Sequence, residues 1–163
     1  MKNLWAPWRI HYLLGHQEKG CIFCKYPKQS KKKDKANLIL WRGEHTFIIL
    51  NKYPYSNGHL MVVPYRHTNE LGGLSTEENQ ELMAFSGLCT RLLKKAVYAQ
   101  GCNVGMNLGL AAGAGIKEHL HMHVVPRWLG DTNFMPIFKG DRVIVEYLTK
   151  TYDRLLRALK KIV

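Results

Sequence analysis

The segment His119-Leu120-His121-Met122-His123-Val124-Val125 alternates histidine with apolar residues at a strict period of two. Successive side chains of a strand point to opposite faces, so this run reads as a β-strand. Leu120, Met122 and Val124 then face the core, and the three histidines line the opposite face, where a ligand can reach them. An exposed strand face is ordinarily filled with Thr, Lys or Glu. The chain holds only 8 histidines in 163 residues, so three at alternate positions point to a site. The residues alone leave three readings open. The histidines decorate a strand, or they chelate a catalytic zinc with a third ligand from elsewhere. In the third reading one imidazole is a nucleophile towards phosphorus. That reading needs a cradle for phosphate oxygens, and the upstream stretch NLGLAAGAG (107–115) supplies glycines that let backbone N–H groups converge on an anion.

The rest of the chain builds a sheet around that strand. Residues 37–43 and 45–51 read as two strands joined at Gly43–Glu44, and 59–65 as a third strand after the turn-rich segment 52–59. Residues 102–109 and 119–126 supply two more. A long helix is predicted from Ser75, where Ser75 and Glu78 form a capping box. Leu82, Phe85, Leu88, Cys89, Leu92, Leu93 and Ala96 recur along one face, and Gly101 stops the helix. A second amphipathic helix is predicted from Asp141, with Ile144, Leu148, Tyr152, Leu155, Leu159 and Ile162 on one stripe. Strands in runs with helices set apart argue an α+β domain with a mostly antiparallel sheet of about five strands. The length suits one domain over 1–163: an arm at 1–20, a knuckle and sheet core at 21–131, and a helical region at 141–163.

Composition bounds the function classes. Hydrophobic content of 46% and charged content of 22% belong to a globular chain. Neither a signal-peptide core nor an apolar run near the roughly 20 residues of a membrane span occurs, so a cytoplasmic location is expected. The net charge of +12 would concentrate a polyanion: nucleic acid, an anionic membrane surface or a polyphosphate ligand. Six of the lysines crowd residues 25–35, which read as a solvated loop. Without a secretion signal a disulfide framework is not expected for Cys21, Cys24, Cys89 and Cys102. Cys89 and Cys102 read as buried thiols. Cys21-Ile22-Phe23-Cys24 has the spacing of a half-site for structural zinc, and a redox role fits poorly because no strand-then-helix pattern surrounds it.

The seven residues from His119 to Val125, with the glycine-rich loop before them, resemble the histidine triad (HIT) superfamily. Residues 50–67 (LNKYPYSNGHLMVVPYRH) are similar to its segment of Asn, turn, Gly-His, apolar strand and Pro. The likeness spans about residues 21–131, and LWAPWR with PRWLGDTNFMP is similar to the diadenosine tetraphosphate phosphorylase and hydrolase branch. The resemblance implies a HIT-like fold and an enzyme that cleaves dinucleoside polyphosphates. His121 would attack the α-phosphorus to give a nucleotidyl-histidine, released by water or phosphate, and His123 would contact the phosphate oxygens. Asn51 would hold ribose hydroxyls, His59 would support the site, and Asn107 with the backbone of Gly113, Ala114 and Gly115 would position phosphate.

Some branches of the superfamily complete a zinc site with a His after the third strand and the first His of the triad. The resemblance thus implies Cys21, Cys24, His67 and His119 as ligands of a structural zinc, with no open position. It also implies a homodimer. The aromatic Trp5, Trp8 and Tyr12 read as a packing arm. His11, His16 and His45 have no such context. One departure concerns the loop before the triad, where many relatives carry Gln, Ser or Thr. Ala114 and Gly115 have no side-chain donor for a leaving group. A nucleoside phosphoramidase is the nearest alternative enzyme. A nucleotide or nucleic-acid binding module that does not need His121, and a metal-dependent hydrolase built on His119 and His121, are alternatives of other classes.

Overall fold

A computed structural model describes residues 20–131 and 146–163. The predicted arm at 1–20 (all but Gly20), the start of the C-terminal helical region at 141–145, and Trp5, Trp8, His11, Tyr12 and His16 lie outside the described residues. Five antiparallel strands form one sheet in the order β1-β2-β3-β5-β4: β1 Ile39–Arg42, β2 Thr46–Leu50, β3 Leu60–Pro64, β4 Gly101–Gly105 and β5 Met122–Arg127. The α+β architecture expected from the sequence is the one observed. The central strands β2 and β3 are buried at every position, as apolar strands are when both faces of the sheet are covered.

One face is covered by two helices, α3 Thr76–Val97 and α4 Leu148–Leu159. Leu82, Leu88, Cys89, Leu92, Leu93 and Ala96 of α3 and Tyr152, Leu155 and Leu159 of α4 pack on Ile48, Leu50, Leu60, Val62 and Val124. Each such leucine, isoleucine or valine side chain stabilises the fold by about 1.5–3 kcal/mol through burial. Both halves of the predicted capping box form: Glu78 N donates to Ser75 Oγ, and Ser75 N donates to the Glu78 carboxylate. α3 also clamps the β1–β2 hairpin through Glu81, whose carboxylate accepts from the backbone N–H groups of Glu44, His45 and Thr46 and from the Thr46 hydroxyl. The hairpin therefore needs Gly43, because a Cβ there would lie 2.6 Å from both Glu81 Oε1 and the Phe85 ring.

The other face carries a smaller cluster of Phe23, Ile39, Phe47, Ile49, Met61 and Val63. Phe23 belongs to α1 Ile22–Lys25, a single turn within the Cys-x-x-Cys stretch.

Four sequence expectations are corrected in detail. The stretch 25–35, expected as a solvated loop, instead holds a 3₁₀ turn at Lys31–Lys33 and leads into α2 Asp34–Asn37. Ser30 caps that turn, and Arg42 ties it to the sheet through Asp34 at 2.6 Å. α3 ends before Gly101, with Tyr98 in the left-handed region at φ 55° as its C-cap, and Gly101 opens β4 instead. β4 stops at Gly105, so 106–109 join the glycine-rich loop. Cys89 is fully buried as expected, but Cys102 is only partly so, because β4 lies at the edge of the sheet. Among the described residues no helix is long and apolar enough to cross a membrane.

Candidate active site and metal centre

β5 runs between β3 and β4, with Met61 opposite His123 and Leu60 opposite Val124. This register fixes the alternation read from the sequence. Leu120 and Val124 join the helix-side core, and His123 shares its face with Met61. That face is not open, however. His119, His121 and His123 are 1%, 6% and 8% exposed. Phe23 packs on it, with its ring centroid 5.5 Å from His119 and 5.1 Å from His121. Only His123 belongs to the ladder. His119 and His121 precede it, anchored where Leu120 N donates to Thr68 O.

Hydrogen bonds settle how each imidazole carries its proton. His119 Nε2 donates to the Pro64 carbonyl at 2.8 Å, so its Nδ1 presents a lone pair. His121 Nδ1 donates to the His119 carbonyl at 2.8 Å, which leaves the lone pair on Nε2. His59, fully buried, accepts at Nδ1 from Tyr55 N at 3.1 Å and from Asn51 Nδ2 at 3.3 Å. Its proton therefore sits on Nε2 and is donated to His123 Nδ1 at 2.9 Å. His123 consequently carries its own proton on Nε2, a buried atom with no partner among the described residues. Burial lowers the pKa of His119 and His121. Burial and the neighbouring His121 push His123 down to about 4. All three are neutral at pH 7. A lone pair on one ring beside an N–H donor on the next, unpartnered among the described residues, can attack an electrophilic centre and stabilise the charge that builds on it.

The other predicted site residues surround these rings. Asn51 closes β2, where its Oδ1 accepts from Tyr53 N at 2.8 Å. The loop after β4 contains a 3₁₀ turn, Leu110–Ala112, ended by Gly113 at φ 85°, a backbone that glycine adopts without strain. Asn107 Nδ2 reaches the Gly113 carbonyl at 3.5 Å. The N–H groups of Gly113 and Ala114 donate within the loop, to Leu110 O and Gly109 O. Gly115 is exposed, whereas Ala114 is 5% exposed. Sequence reasoning missed two residues. Phe23 was hidden between the cysteines. Tyr55, in the turn before β3, stacks on His59 at 4.8 Å and lies 5.7 Å from His123; its turn-rich surroundings drew attention to backbone rather than ring.

On the far side of His119 a second cluster forms. One ligand atom from each of Cys21, Cys24, His67 and His119 lies within 4.8 Å of the others. Cys21 Sγ and Cys24 Sγ are 3.3 and 3.5 Å from His119 Nδ1, Cys24 Sγ is 3.2 Å from His67 Nδ1, and the two Nδ1 atoms are 3.2 Å apart. Tetrahedral zinc, bound at about 2.3 Å to sulfur and about 2.05 Å to nitrogen, would space nitrogens about 3.3 Å apart and sulfur from nitrogen about 3.5 Å. The donor set fits such an ion. The His119 Nε2–H on Pro64 O is the outer hydrogen bond that fixes a metal-binding tautomer.

A HIT domain model matches residues 32–128, more than half of the chain. The chain belongs to the HIT family. This HIT protein is 42% identical over 160 residues to a Mycobacterium tuberculosis protein named AP-4-A phosphorylase, covering 93% of the chain and 80% of that relative. It is 31% identical over 91 residues to bis(5'-adenosyl)-triphosphatase of Saccharomyces cerevisiae, covering 55% of the chain and 44% of that enzyme. Among solved structures, a Zn-bound histidine triad family protein from Mycobacterium smegmatis superposes with a TM-score of 0.70 at 26% identity, covering 88% of this HIT chain and 95% of the other.

Proposed function

We propose that the protein cleaves dinucleoside polyphosphates such as diadenosine tetraphosphate through a covalent nucleotidyl-histidine at His121. The observation that carries this reading is the tautomer of His121. Its Nδ1–H is held by a backbone carbonyl, so a neutral imidazole presents its Nε2 lone pair. The relatives named for diadenosine polyphosphate chemistry supply the substrate class. His121 Nε2 attacks the α-phosphorus, forming a P–N bond and breaking the anhydride P–O bond, and the nucleoside polyphosphate departs. Water or inorganic phosphate then attacks the same phosphorus, forming a P–O bond, breaking the P–N bond and releasing its proton to solvent, and His121 regains its lone pair. His123 Nε2–H is assigned to the oxygens on which charge builds, supported by its having no partner among the described residues. Asn51 is assigned to the ribose hydroxyls, and Asn107 with the loop at Gly113, Ala114 and Gly115 to the phosphates. The loop contributes Gly115 N–H in preference to the two amides already used in its own turn.

The missing side-chain donor at 114 and 115 favours an anhydride over a phosphoramidate. A terminal phosphate ionises for the second time near pH 6, so a polyphosphate leaves as an anion at neutral pH. An amine leaving group must instead be protonated. We further infer that Cys21, Cys24, His67 and His119 hold zinc. Four protein ligands leave it no open position, so its contribution is to tie the knuckle to the sheet. A homodimer would extend the sheet at the outer edge of β4, where Asn103, Val104 and Gly105 are exposed.

Incubation with diadenosine tetraphosphate, with and without inorganic phosphate, beside His121→Asn tests the reaction. ADP with ATP formed only when phosphate is present identifies a phosphorylase; AMP with ATP in its absence identifies a hydrolase. Equal activity in the variant would remove His121 from the reaction.

A further inference from the structure

The ring that covers His121 comes from inside the metal-binding knuckle. Phe23 lies between Cys21 and Cys24 on the single turn Ile22–Lys25 and is 1% exposed. Its ring touches both His119, a member of the Cys₂His₂ cluster, and His121. Among the described residues the remaining support of His121 is sparse. β5 begins at Met122, so no ladder bond of that strand holds residue 121. Among these residues its side chain is fixed by one hydrogen bond, from Nδ1 to His119 O, and by ring contacts with Phe23 and with His123 at 4.7 Å. One hydrogen bond leaves an imidazole free to swing about its Cα–Cβ bond, and packing removes that freedom. A reacting group has to be held within about 0.5 Å and 10–20° of its working geometry. A misplacement of about 1 Å costs on the order of 10²-fold in rate.

We propose that Phe23 is a positioning residue for His121, and that it is the mechanical link between the knuckle and the nucleophile. The ligated turn fixes the Phe23 ring, and the ring fixes the imidazole. This inference rests on the reading of His121 as the nucleophile.

The test compares Phe23→Leu and Phe23→Ala with Phe47→Leu. Phe47 is equally buried in the same cluster, 6.5 Å from Phe23, and makes no ring contact with His121 among the described residues. It controls for loss of packing alone. Zinc per chain, kcat and KM on diadenosine tetraphosphate, and the His121 Nδ1–H signal in nitrogen-15 NMR are measured on each. Phe23→Leu is expected to keep its zinc and to hold KM within about twofold, while kcat falls about tenfold or more and the Nδ1–H signal broadens or disappears. Phe47→Leu is expected to lower the melting temperature and keep wild-type kcat and signal. Equal losses of kcat in the two leucine variants, or a wild-type His121 signal in Phe23→Ala, would overturn the proposal. So would a loss of activity in Phe23→Leu that added zinc restores. If the wild type is inert on the substrate, the nucleotide reading fails while the NMR comparison still decides the role of Phe23.

Discussion

Replacing His59 with Phe separates the two parts of the donor machinery. The substitution keeps a ring of similar size between Tyr55 and His123 but removes the Nε2–H that His123 Nδ1 accepts at 2.9 Å. It also strips Tyr55 N–H of an acceptor. In stability the cost is that of leaving the buried His123 Nδ1 without its donor, about 1–3 kcal/mol. In catalysis the cost is smaller than removal of His123 itself. The lost hydrogen bond, worth about 0.5–1.5 kcal/mol, is what favours the Nε2–H tautomer of His123, so losing it shifts the tautomer ratio by roughly 2- to 13-fold. Only the correct tautomer donates, so kcat on diadenosine tetraphosphate falls by no more than about tenfold. His123→Ala removes the donor altogether and is expected to cost on the order of 10²–10³-fold. The assay is kcat at saturating substrate, with a urea titration of each variant to confirm that the protein is folded. A His59→Phe enzyme as slow as His123→Ala would refute the tautomer argument, as would one with wild-type kcat and a His123 proton still on Nε2 by NMR.

Three further outcomes follow from the site. A strong chelator, or Cys24→Ser, should release about one zinc per chain and lower the melting temperature together with activity; activity lost at an unchanged melting temperature would indicate an open, catalytic metal instead. His123 has a folded pKa of about 4 against an ordinary value of 6.5. The unfolded chain therefore takes up a proton that the folded one refuses, and stability falls as pH is lowered from about 6.5 towards 4, with no contribution from His123 above that window. Urea midpoints at pH 7 and 5 should show this slope, and His123→Phe should lessen it. Gly115→Ser meets open space and needs no positive φ. It adds the missing donor, so cleavage of an adenosine phosphoramidate should rise several-fold while cleavage of diadenosine tetraphosphate changes by less than about twofold. No gain on the phosphoramidate would count against the leaving-group argument.

The parts of the fold that follow local rules were legible in the sequence. Period two across 119–125 sorted the apolar residues onto the helix side, and the Ser75–Glu78 box started α3 at the residue where it begins. The convergence of Cys21, Cys24, His67 and His119 also followed, although only through resemblance, since no spacing rule brings residues 24 and 67 together. What depends on tertiary contact was hidden. Nothing local says that Phe23 folds over the histidine face and buries a surface that the pattern leaves open. The end of β4 at Gly105 depends on the end of its ladder with β5, not on the apolar residues that follow. Tyr98 ends α3 in a left-handed conformation that its side chain does not advertise. The proton position on His119 depends on the carbonyl of Pro64 and that on His123 on the ring of His59, partners from distant segments that a sequence does not show.

The most direct test of the account is to trap the intermediate. Wild-type protein is mixed with diadenosine tetraphosphate in the absence of phosphate, quenched at alkaline pH where a P–N bond survives, digested, and read by mass spectrometry. The account predicts a peptide containing residues 119–123 that carries one adenylyl group on His121, and no adduct in His121→Asn. Turnover without any adduct, or an adduct on a residue other than His121, would contradict it.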